Sequence, residues 1–445
     1  MPSLRALFPA VFVLAVFAPP AVRADLAGYL AKPDASYAWT LREKMDSPTA
    51  TVCDIRVTSQ TWHDLKWEHN LLLFLPKAAS NADTCLLVID GGSNTKIDAK
   101  PGMDSLLYGA TLAGKVGIPC AVLRQVPNQP LLGNLKEDAL IAETFRRFLE
   151  TKDESWPLLL PMVKSAVRAM DTVQAFCAKE TPLRIKKFIV TGASKRGWTT
   201  WLTSASDPRV VALAPMVIDV LNMKPQMDHQ KRELGGHSAQ TGDYHELLKR
   251  PEDDLTRRLW QIVDPYSMRA KITQPKMIIL GNNDAYWSTD ALNLYWDGLS
   301  GPKWIHYVPN AGHDLSPRDE NGKRQLPLRA IDTLAAFVRH QIAGKPFPQL
   351  TWKHSDRDGK PALEITSQPA PKSARLWLAQ SATHDFRQSR WAEQPAKLAG
   401  AKVSGGIELP KMGSTAFYGA LEYEIDGSTF HLCTQLRIVD AAQSQ

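Results

Sequence analysis

The residues best suited to chemistry lie in the segment 188–198, FIVTGASKRGW. An apolar run leads directly into Gly192-Ala193-Ser194, and a helix-compatible stretch follows it. A nucleophile elbow has this form, because a sharp turn exposes the serine hydroxyl while small neighbours avoid clashes with its strained backbone. The spacing is unusual, since Arg196 stands two residues after the serine and Gly197 three residues after it. The alternative is an ordinary strand-turn-helix junction in which Ser194 caps the helix. We interpret Ser194 as a nucleophile.

Two residues that would complete a catalytic triad follow later strand-like runs. Asp284 ends the segment GNND after the run 277–280, and His313 ends PNAGH after the run 304–308. The chain order serine, acid, histidine is that of α/β-hydrolases. We expect His313 to take the proton of Ser194 and Asp284 to orient the imidazole. Taken alone, Asp284 is equally typical of a turn and His313 of a loop. Asp219, at the end of its own strand, is the rival acid.

An oxyanion hole needs two hydrogen-bond donors. The backbone N–H of Lys195, the residue after the nucleophile, is one candidate. The second is expected after the apolar run 85–90, where Gly92 is the best candidate and Gly91 the next, because glycines let the backbone approach a substrate oxygen. A plain Gly-Gly turn is the alternative. Four aromatic residues flank these positions and are candidates for a substrate pocket, although each is also typical of a packed core: Trp198, Trp201, Tyr286 and Trp287.

The elements that must position these residues alternate between strand and helix patterns. The runs 51–58 and 65–75 predict an opening antiparallel pair, and short apolar runs follow at 85–90, 118–124, 187–191, 210–219, 276–280 and 304–308. Helical stretches such as 136–150 and 162–177 separate most of them. This alternation predicts a mostly parallel sheet with helices on both faces, and eight strands are the usual α/β-hydrolase plan. The long segments 132–181 and 221–265 predict helical insertions that cap the active site.

The pattern changes after the segment GKPFP at 344–348. Helical periodicity ends, and short strand-like runs follow at 362–366, 374–378, 416–425 and 429–439. We therefore predict an α/β-hydrolase domain over 25–345 and a carboxy-terminal β-sandwich domain over 346–445.

The first 24 residues resemble a secretory signal peptide. Arg5 supplies a positive start, the stretch 8–18 is largely apolar, and Val22-Arg23-Ala24 offers the small residues that signal peptidase needs. The alternative is a membrane anchor, but the apolar stretch is short for crossing a bilayer. We predict cleavage after Ala24 and a periplasmic or secreted protein without a membrane anchor. Cleavage would lower the net charge from +7 to +5 by removing two arginines, and this mild, dispersed charge disfavours nucleic-acid binding.

Five cysteines are present at 53, 85, 120, 177 and 433, so at least one thiol has no intramolecular partner. Cys85 and Cys120 lie in apolar runs typical of a core, and the pairing of the rest stays open. The sequence has no CxxC pair, phosphate-binding loop, dinucleotide-binding motif or HExxH motif. We therefore expect no metal and no cofactor.

Beyond single motifs, the chain resembles the PhoPQ-activated pathogenicity-related proteins of bacteria. The resemblance rests on residues 192–198 and on PMVID at 215–219, GNND at 281–284, PNAGH at 309–313, RQVPNQP at 124–130 and DFR at 385–387. It implies the α/β-hydrolase fold, export and a link to the PhoP/PhoQ regulatory response. It implies no defined substrate.

Together these patterns predict an exported serine hydrolase that cleaves an ester or amide bond in a small molecule or peptide. The alternative is a non-catalytic binding or signalling protein on a hydrolase scaffold, which Arg196 and the unusual motif spacing keep open. The sequence leaves the substrate and the oligomeric state open.

Overall fold

The structure, a computed structural model, describes residues 25–79 and 82–441. The predicted signal segment 1–24 lies outside the described residues. Within the described ranges, no helix combines the length and the hydropathy that crossing a membrane requires.

The central sheet is built from the amino-terminal three quarters of the chain. Its strands run in the order β1-β2-β3-β5-β4-β6-β7-β8-β9. Neighbours from β5 through β4 to β9 are parallel, whereas β1, β2 and β3 pair antiparallel and β3 pairs antiparallel with β5. The strands are β1 Ala38–Asp46, β2 Ala50–Trp62, β3 Leu65–Pro76, β4 Thr84–Ile89, β5 Cys120–Leu123, β6 Lys187–Ala193, β7 Val210–Met216, β8 Lys276–Gly281 and β9 Lys303–Val308.

This topology confirms the predicted α/β-hydrolase fold, with one difference. Strands β2 to β9 supply the expected eight, and β1 adds a ninth strand at the edge that the sequence interpretation did not include. The segment AWTLREKMD of β1 alternates between exposed and half-buried positions. A half-exposed edge strand carries charged residues on its open side and so lacks the apolar run by which the other strands were recognised.

Helices cover both faces of this sheet. They are α1 Leu26–Ala31, α2 Met103–Val116, α3 Glu137–Thr151, α4 Leu159–Glu180, α5 Lys195–Ser206, α6 Met223–Leu234, α7 His245–Lys249, α8 Asp254–Val263 and α9 Leu328–Ala343. Helices α4 and α5 pack on one face, and α2 and α9 pack together on the other. Helix α4 buries most of its apolar residues against β2, which leaves the sheet with a hydrophobic core on each side.

After Pro346, the described part of the chain forms β-strands and no helix. They are β10 Gln349–Arg357, β11 Lys360–Gln368, β12 Ser373–Ser381, β13 Ala392–Pro395, β14 Lys397–Ala399, β15 Lys402–Gly406, β16 Ser414–Ile425, β17 Ser428–Cys433 and β18 Arg437–Asp440. Strands β10, β11, β15 and β14 form one antiparallel sheet, and β17, β16, β12 and β13 form another, with β18 added to β16.

The two carboxy-terminal sheets pack face to face. A Cβ atom on Gly419 of β16 would lie 2.5 Å from Ile365 Cδ1 of β11, and one on Gly405 of β15 would lie 2.7 Å from Leu376 Cδ1 of β12. The second sheet is also continuous with the central sheet, because Cys433 of β17 pairs with Ile305 of β9. The carboxy-terminal region is thus joined to the hydrolase sheet, and its extent as a separate domain stays a prediction.

The five cysteines lie within the described ranges, where all are buried and unpaired. Burial raises the pKa of the Cys120 thiol to about 12, so this group stays protonated and packs as a small apolar residue.

Candidate active site

Ser194 occupies a strained turn between β6 and α5. Its backbone has φ 58° and ψ −129°, and its N–H donates to the carbonyl of Met216 at 2.9 Å. The turn is tight on both sides: a Cβ atom on Gly192 would lie 2.8 Å from the Arg196 carbonyl, and one on Gly197 would lie 2.8 Å from the Met216 carbonyl. The glycine three residues after the serine is therefore required by close packing of α5 against β7, which accounts for the unusual motif spacing.

The acid and the histidine meet at the same edge of the sheet. His313 Nδ1 lies 2.7 Å from Asp284 Oδ2, and the other Asp284 oxygen accepts the N–H of Tyr286 at 3.0 Å. The Tyr286 ring lies 4.3 Å from the His313 ring, centroid to centroid. Asp284 is buried and His313 half-buried. The hydrogen bonds of the described residues include none between the Ser194 hydroxyl and His313, so the geometry joins the acid to the base but not the base to the serine.

Asp219, the rival acid, makes no hydrogen bond to His313. It is buried, and its Oδ1 atom has no hydrogen-bond partner. Burial, together with the nearby charge of Asp284, raises the pKa of Asp219 to about 8. At neutral pH this side chain is therefore largely uncharged, which does not suit a partner for an imidazolium ion.

The loop after β4 holds the oxyanion-hole candidates. The N–H of Gly91 is already donated to Asp90 Oδ1 at 2.8 Å, and the Gly91 carbonyl accepts the N–H of Gln125 at 3.0 Å. Gly92 has φ +137°, a conformation that favours glycine, and its carbonyl accepts the Gln129 side chain at 3.2 Å. Since no acceptor holds the Gly92 N–H among the described residues, Gly92 is the better placed of the two.

Arg196 ties this loop to the elbow. Its guanidinium makes two hydrogen bonds to the Glu137 carboxylate, at 2.7 and 2.8 Å, and its Nε donates to the Val126 carbonyl at 2.6 Å. The same group lies directly against the loop, because a Cβ atom on Gly91 would be 2.7 Å from Arg196 Nη2. Arg196 is thus a clamp between the head of α5, the head of α3 and the candidate oxyanion loop.

Electrostatics hold this clamp ionised. Burial by itself would raise the pKa of Glu137, but the hydrogen bonds and charge of Arg196, with the charge of Lys195, lower it to about 2. Lys195 Nζ lies 2.9 Å from Glu137 Oε2 and 3.4 Å from Asp138 Oδ2. Two cations therefore face two carboxylates, and the cluster carries no net charge next to Ser194.

An apolar cavity opens beside Ser194. The space inside it that is open to the centre of a water-sized sphere is about 60 Å³. The inserted helices form much of the wall, as expected for a cap. Apolar lining residues include Phe145 of α3, Trp198 of α5, Met223 and Met227 of α6, Leu247 of α7 and Trp260 of α8.

Three of the four aromatic pocket candidates line this cavity: Trp198, Tyr286 and Trp287. Trp198 is fixed by a hydrogen bond from its Nε1 to the Val263 carbonyl at 2.6 Å. Trp201 lies one helical turn further along α5, is fully buried in the hydrophobic core and does not line the cavity. The sequence around Trp201 was compatible with a place in the core or in the pocket, because buried and pocket-lining aromatic residues look alike in a sequence.

The carboxy-terminal region makes hydrogen bonds to the loops that carry Asp284 and His313. The Asn283 side chain donates to the carbonyls of Arg387 at 3.2 Å and Ser389 at 2.7 Å. Asn310 exchanges two hydrogen bonds with the backbone of Trp391, at 2.9 and 3.0 Å. Asn282 accepts the hydroxyl of Tyr418 at 3.0 Å. These partners lie roughly a hundred residues away in sequence, so motif spacing gave no sign of them.

The segments 124–130 and 385–387 contributed to the family resemblance, and the structure shows which parts of the candidate site they contact. Gln125, Val126 and Gln129 of the segment 124–130 hold the candidate oxyanion loop and Arg196. Arg387 of the segment 385–387 donates to the Ala285 carbonyl at 3.2 Å, beside the acid. The resemblance was a usable signal for these residues, although it did not say what they contact.

Comparison with known proteins places the chain in a family. Residues 26–387 match the profile of the PhoPQ-activated pathogenicity-related proteins. The chain belongs to this family. Autocrine proliferation repressor protein A of Dictyostelium discoideum is 34% identical over 386 residues, which cover 81% of this chain and 75% of that protein.

Two solved esterase structures are similar to this family member at low sequence identity. An acetyl xylan esterase from Paenibacillus sp. R4 is 13% identical, covers 70% of this chain and 90% of its own, and has a TM-score of 0.49. A glucuronoyl esterase from Solibacter usitatus is 14% identical, covers 71% of this chain and 90% of its own, and has a TM-score of 0.43. Within the described ranges, no group of three or more histidine, cysteine or acidic side chains is arranged to hold a metal ion.

Proposed function

We propose that the protein is an exported serine hydrolase that cleaves an ester or amide bond with Ser194, His313 and Asp284. The observation that carries the proposal is the strained backbone of Ser194 at the head of α5. A residue other than glycine keeps such a conformation only where the surroundings enforce it, and such strain clusters at functional sites. In a nucleophile elbow it points the hydroxyl at the substrate.

The chemistry follows from the roles of the three residues. His313 Nε2 takes the Ser194 proton while Ser194 Oγ attacks the substrate carbonyl carbon, and Asp284 stabilises the resulting imidazolium through Nδ1. The N–H groups of Lys195 and Gly92 would donate to the oxyanion. The imidazolium then gives its proton to the leaving group, and water hydrolyses the acyl-enzyme by the same steps. Closure of the Ser194–His313 hydrogen bond on substrate binding is part of this proposal.

Export and regulation are separate parts of the proposal. Export rests on the signal-like segment 1–24, and the PhoP/PhoQ link rests on membership of the family. Protein purified from its native host should begin at Asp25, as mass analysis of the amino terminus would show. An intact Met1 in that protein would contradict export by cleavage.

A second candidate function is binding or signalling on a hydrolase scaffold. Two observations favour it: the Ser194 hydroxyl makes no hydrogen bond to His313, and a relative is named as a repressor of proliferation. In this case the strained elbow would be a retained feature of the fold without turnover.

A fluorophosphonate probe separates the two functions, because it labels only an activated serine. We expect labelling of the wild-type chain, none of Ser194→Ala, and unchanged labelling of Ser47→Ala, which alters an exposed serine in the turn between β1 and β2. Esterase activity on p-nitrophenyl esters should fall by about 10³-fold or more in Ser194→Ala. Absence of labelling in a folded wild-type protein would favour the binding function.

A further inference from the structure

We infer that the cavity beside Ser194 binds the acyl group of the substrate and that this group is apolar and uncharged. The substrates would then be esters of hydrophobic carboxylic acids, not acetylated or acidic sugars. This inference rests on the proposed hydrolase function, and it adds the substrate class.

The first step is the character of the wall. Phe145, Met223, Met227, Leu247 and Trp260 give it a predominantly apolar surface. Sites that bind sugars present several free hydrogen-bonding groups, whereas an apolar wall stabilises a ligand by removing hydrocarbon from water. The wall therefore favours an aliphatic or aromatic group.

The second step is that most polar side chains in the wall already have hydrogen-bond partners. Gln226 Nε2 donates to the Ala291 carbonyl at 2.8 Å, and Gln230 Nε2 donates to the Tyr286 carbonyl at 2.8 Å. The hydroxyl of Tyr244 donates to Asp138 at 3.0 Å, and that of Tyr286 to the same carboxylate at 3.4 Å. A polar ligand would have to break these bonds.

The charges in the wall are engaged in the same way. Asp138 accepts from both tyrosines and pairs with Lys195, while Lys195 also pairs with Glu137. A carboxylate or an amine on the substrate would therefore meet a neutral cluster and lose its hydration without gaining a free counter-ion. Trp287 Nε1 is a buried donor without a partner, and because it is inaccessible it adds no hydrogen-bonding group to the surface of the cavity.

The third step assigns the cavity to the acyl side. A leaving group must lie against His313, because it receives its proton from that imidazole. The cavity is lined by Ser194 and Lys195, yet His313 does not belong to its lining. A group that fills the cavity thus contacts Ser194 and Lys195 and does not contact His313, which donates the proton to the leaving group. This is the position of the acyl chain.

A series of p-nitrophenyl esters tests the assignment, since only the acyl chain changes along it. We expect kcat/KM to rise from acetate through butyrate to hexanoate, by up to about fourfold for each methylene that enters the cavity. Esters of phenylacetic acid should also be cleaved well. A preference for acetate, with no gain along the series, would overturn the inference while leaving serine hydrolysis intact.

A variant that fills the cavity sharpens the test. Met227→Trp on α6 should reduce kcat/KM for hexanoate at least about tenfold while changing that for acetate little. Lys231→Trp, at an exposed position of the same helix, is the matched control and should alter neither. Equal losses on both esters in Met227→Trp would indicate damage to the catalytic residues and count against an acyl cavity.

Binding without turnover separates this inference from the proposed function. Ser194→Ala should be stabilised against heat by the uncharged amides hexanamide and phenylacetamide, and Met227→Trp in the same background should abolish the shift. The cavity assignment fails if neither compound raises the melting temperature of Ser194→Ala. The serine mechanism fails if the fluorophosphonate probe does not label the wild-type chain, whatever these shifts show.

Discussion

At the scale of single residues, the two buried acids Asp284 and Asp219 differ in what they contact. Asp284 contacts His313 and is held by the N–H of Tyr286, whereas Asp219 is isolated by burial. An acid that orients an imidazole must be charged in order to stabilise the imidazolium ion. The contact with His313 favours Asp284 for this role, in agreement with chain order.

We therefore expect opposite results from two conservative changes. Asp284→Asn should keep the fold yet lower kcat by roughly 10³- to 10⁴-fold, because the amide favours the wrong imidazole tautomer. Asp219→Asn should stay within about threefold of wild type, because His313 does not contact it. Steady-state kinetics on one p-nitrophenyl ester would decide, and equal losses in both variants would contradict the assignment.

Asp219 should also make the free energy of unfolding depend on pH. Its pKa in the folded protein is about 8, above the value of about 4 in an unfolded chain. The folded state then holds a proton that the unfolded state releases, so the free energy of unfolding falls as the pH rises from about 4 to 8. Asp219→Asn removes this pH-dependent contribution to the free energy of unfolding. Urea unfolding at pH 5 and pH 8 should show that the variant gains stability relative to wild type at the higher pH, and a constant difference would refute the shift.

Arg196 shows why an unusual motif need not signal lost catalysis. Its side-chain hydrogen bonds go to Glu137 and Val126, within the clamp. The residue is a positioning residue, since its contacts are with the loop of Gly91 and not with the place of the substrate. Its presence therefore does not by itself support the non-catalytic alternative.

Arg196→Lys tests this role. Lysine keeps the charge but cannot make the paired hydrogen bonds to Glu137, so we expect kcat to fall about tenfold with little change in KM, and stability to fall by about 2 kcal/mol. Arg146→Lys, which alters an exposed partner of Glu143 and Glu150 on α3, should change neither. A rise in KM with unchanged kcat would place Arg196 in substrate binding instead.

The clamp should withstand mild acid. The pKa of Glu137 is lowered to about 2, whereas the unfolded value is near 4.3. Its contribution to stability is therefore fully present above the unfolded value and is lost only as the pH falls towards 2. Protonation of Glu137 would therefore not explain a loss of activity at pH 5.

At the scale of elements, the cap helix α6 is joined to the carboxy-terminal strands by a chain of acids and histidines. His384 contacts Glu233 of α6 and lies 2.7 Å from Asp440 of β18, and His229 of α6 lies 2.7 Å from Asp290. Burial lowers the pKa of His384, but the hydrogen bonds to Asp440 and Glu233 outweigh it and raise the pKa above its usual value.

This contact predicts a pH-dependent stability. A raised histidine pKa stabilises the fold fully below the unfolded value of about 6.5, and the gain disappears as the pH rises through the folded value. Urea unfolding should show that His384→Gln costs up to about 1 kcal/mol at pH 5.5 and less at pH 8.5. His245→Gln, at an exposed position of α7, is the control. An equal cost of His384→Gln at both values would contradict the linkage.

The elements also show what the sequence could and could not supply. Strands β4 to β9 were recognised because buried parallel strands are continuous apolar runs. The antiparallel strands β2 and β3 are also mostly buried, whereas β1 is only half-buried and has no such run. The elbow was recognised because its glycines are imposed by local sterics. Pairings such as Glu137 with Arg196, or Asn283 with Ser389, join segments distant in sequence, and no local pattern encodes which partner a polar side chain finds.

At the scale of the whole molecule, the junction between the helix α9 and the strand β10 is a point of exposure. Residues 342–346 are exposed, while Phe347 and Pro348 are buried. We propose this junction as the boundary between the two regions. Brief digestion with proteinase K should cut there first, giving fragments that begin near residues 342–346, as mass spectrometry would show.

The fragments should stay together after cleavage, because β17 pairs with β9 and the contacts of Asn283 and Asn310 hold the loops that carry Asp284 and His313. We expect one peak of full mass in size-exclusion chromatography and retention of most esterase activity. Separation of the fragments under native conditions would mean that the interface is weaker than its hydrogen bonds and shared sheet imply.

The pairing of β9 with β17 has a consequence for solubility. Strand β9, with the residues KWIHYV, would otherwise present its backbone donors and acceptors along the open edge of a large sheet. Open, apolar edges recruit strands from other molecules and lead to aggregation. In this fold the strand β17 pairs with that edge, at Cys433 and Ile305. A chain ending at residue 345 should therefore precipitate or assemble into β-rich aggregates, detectable by thioflavin T, even where its remaining helices and strands still form.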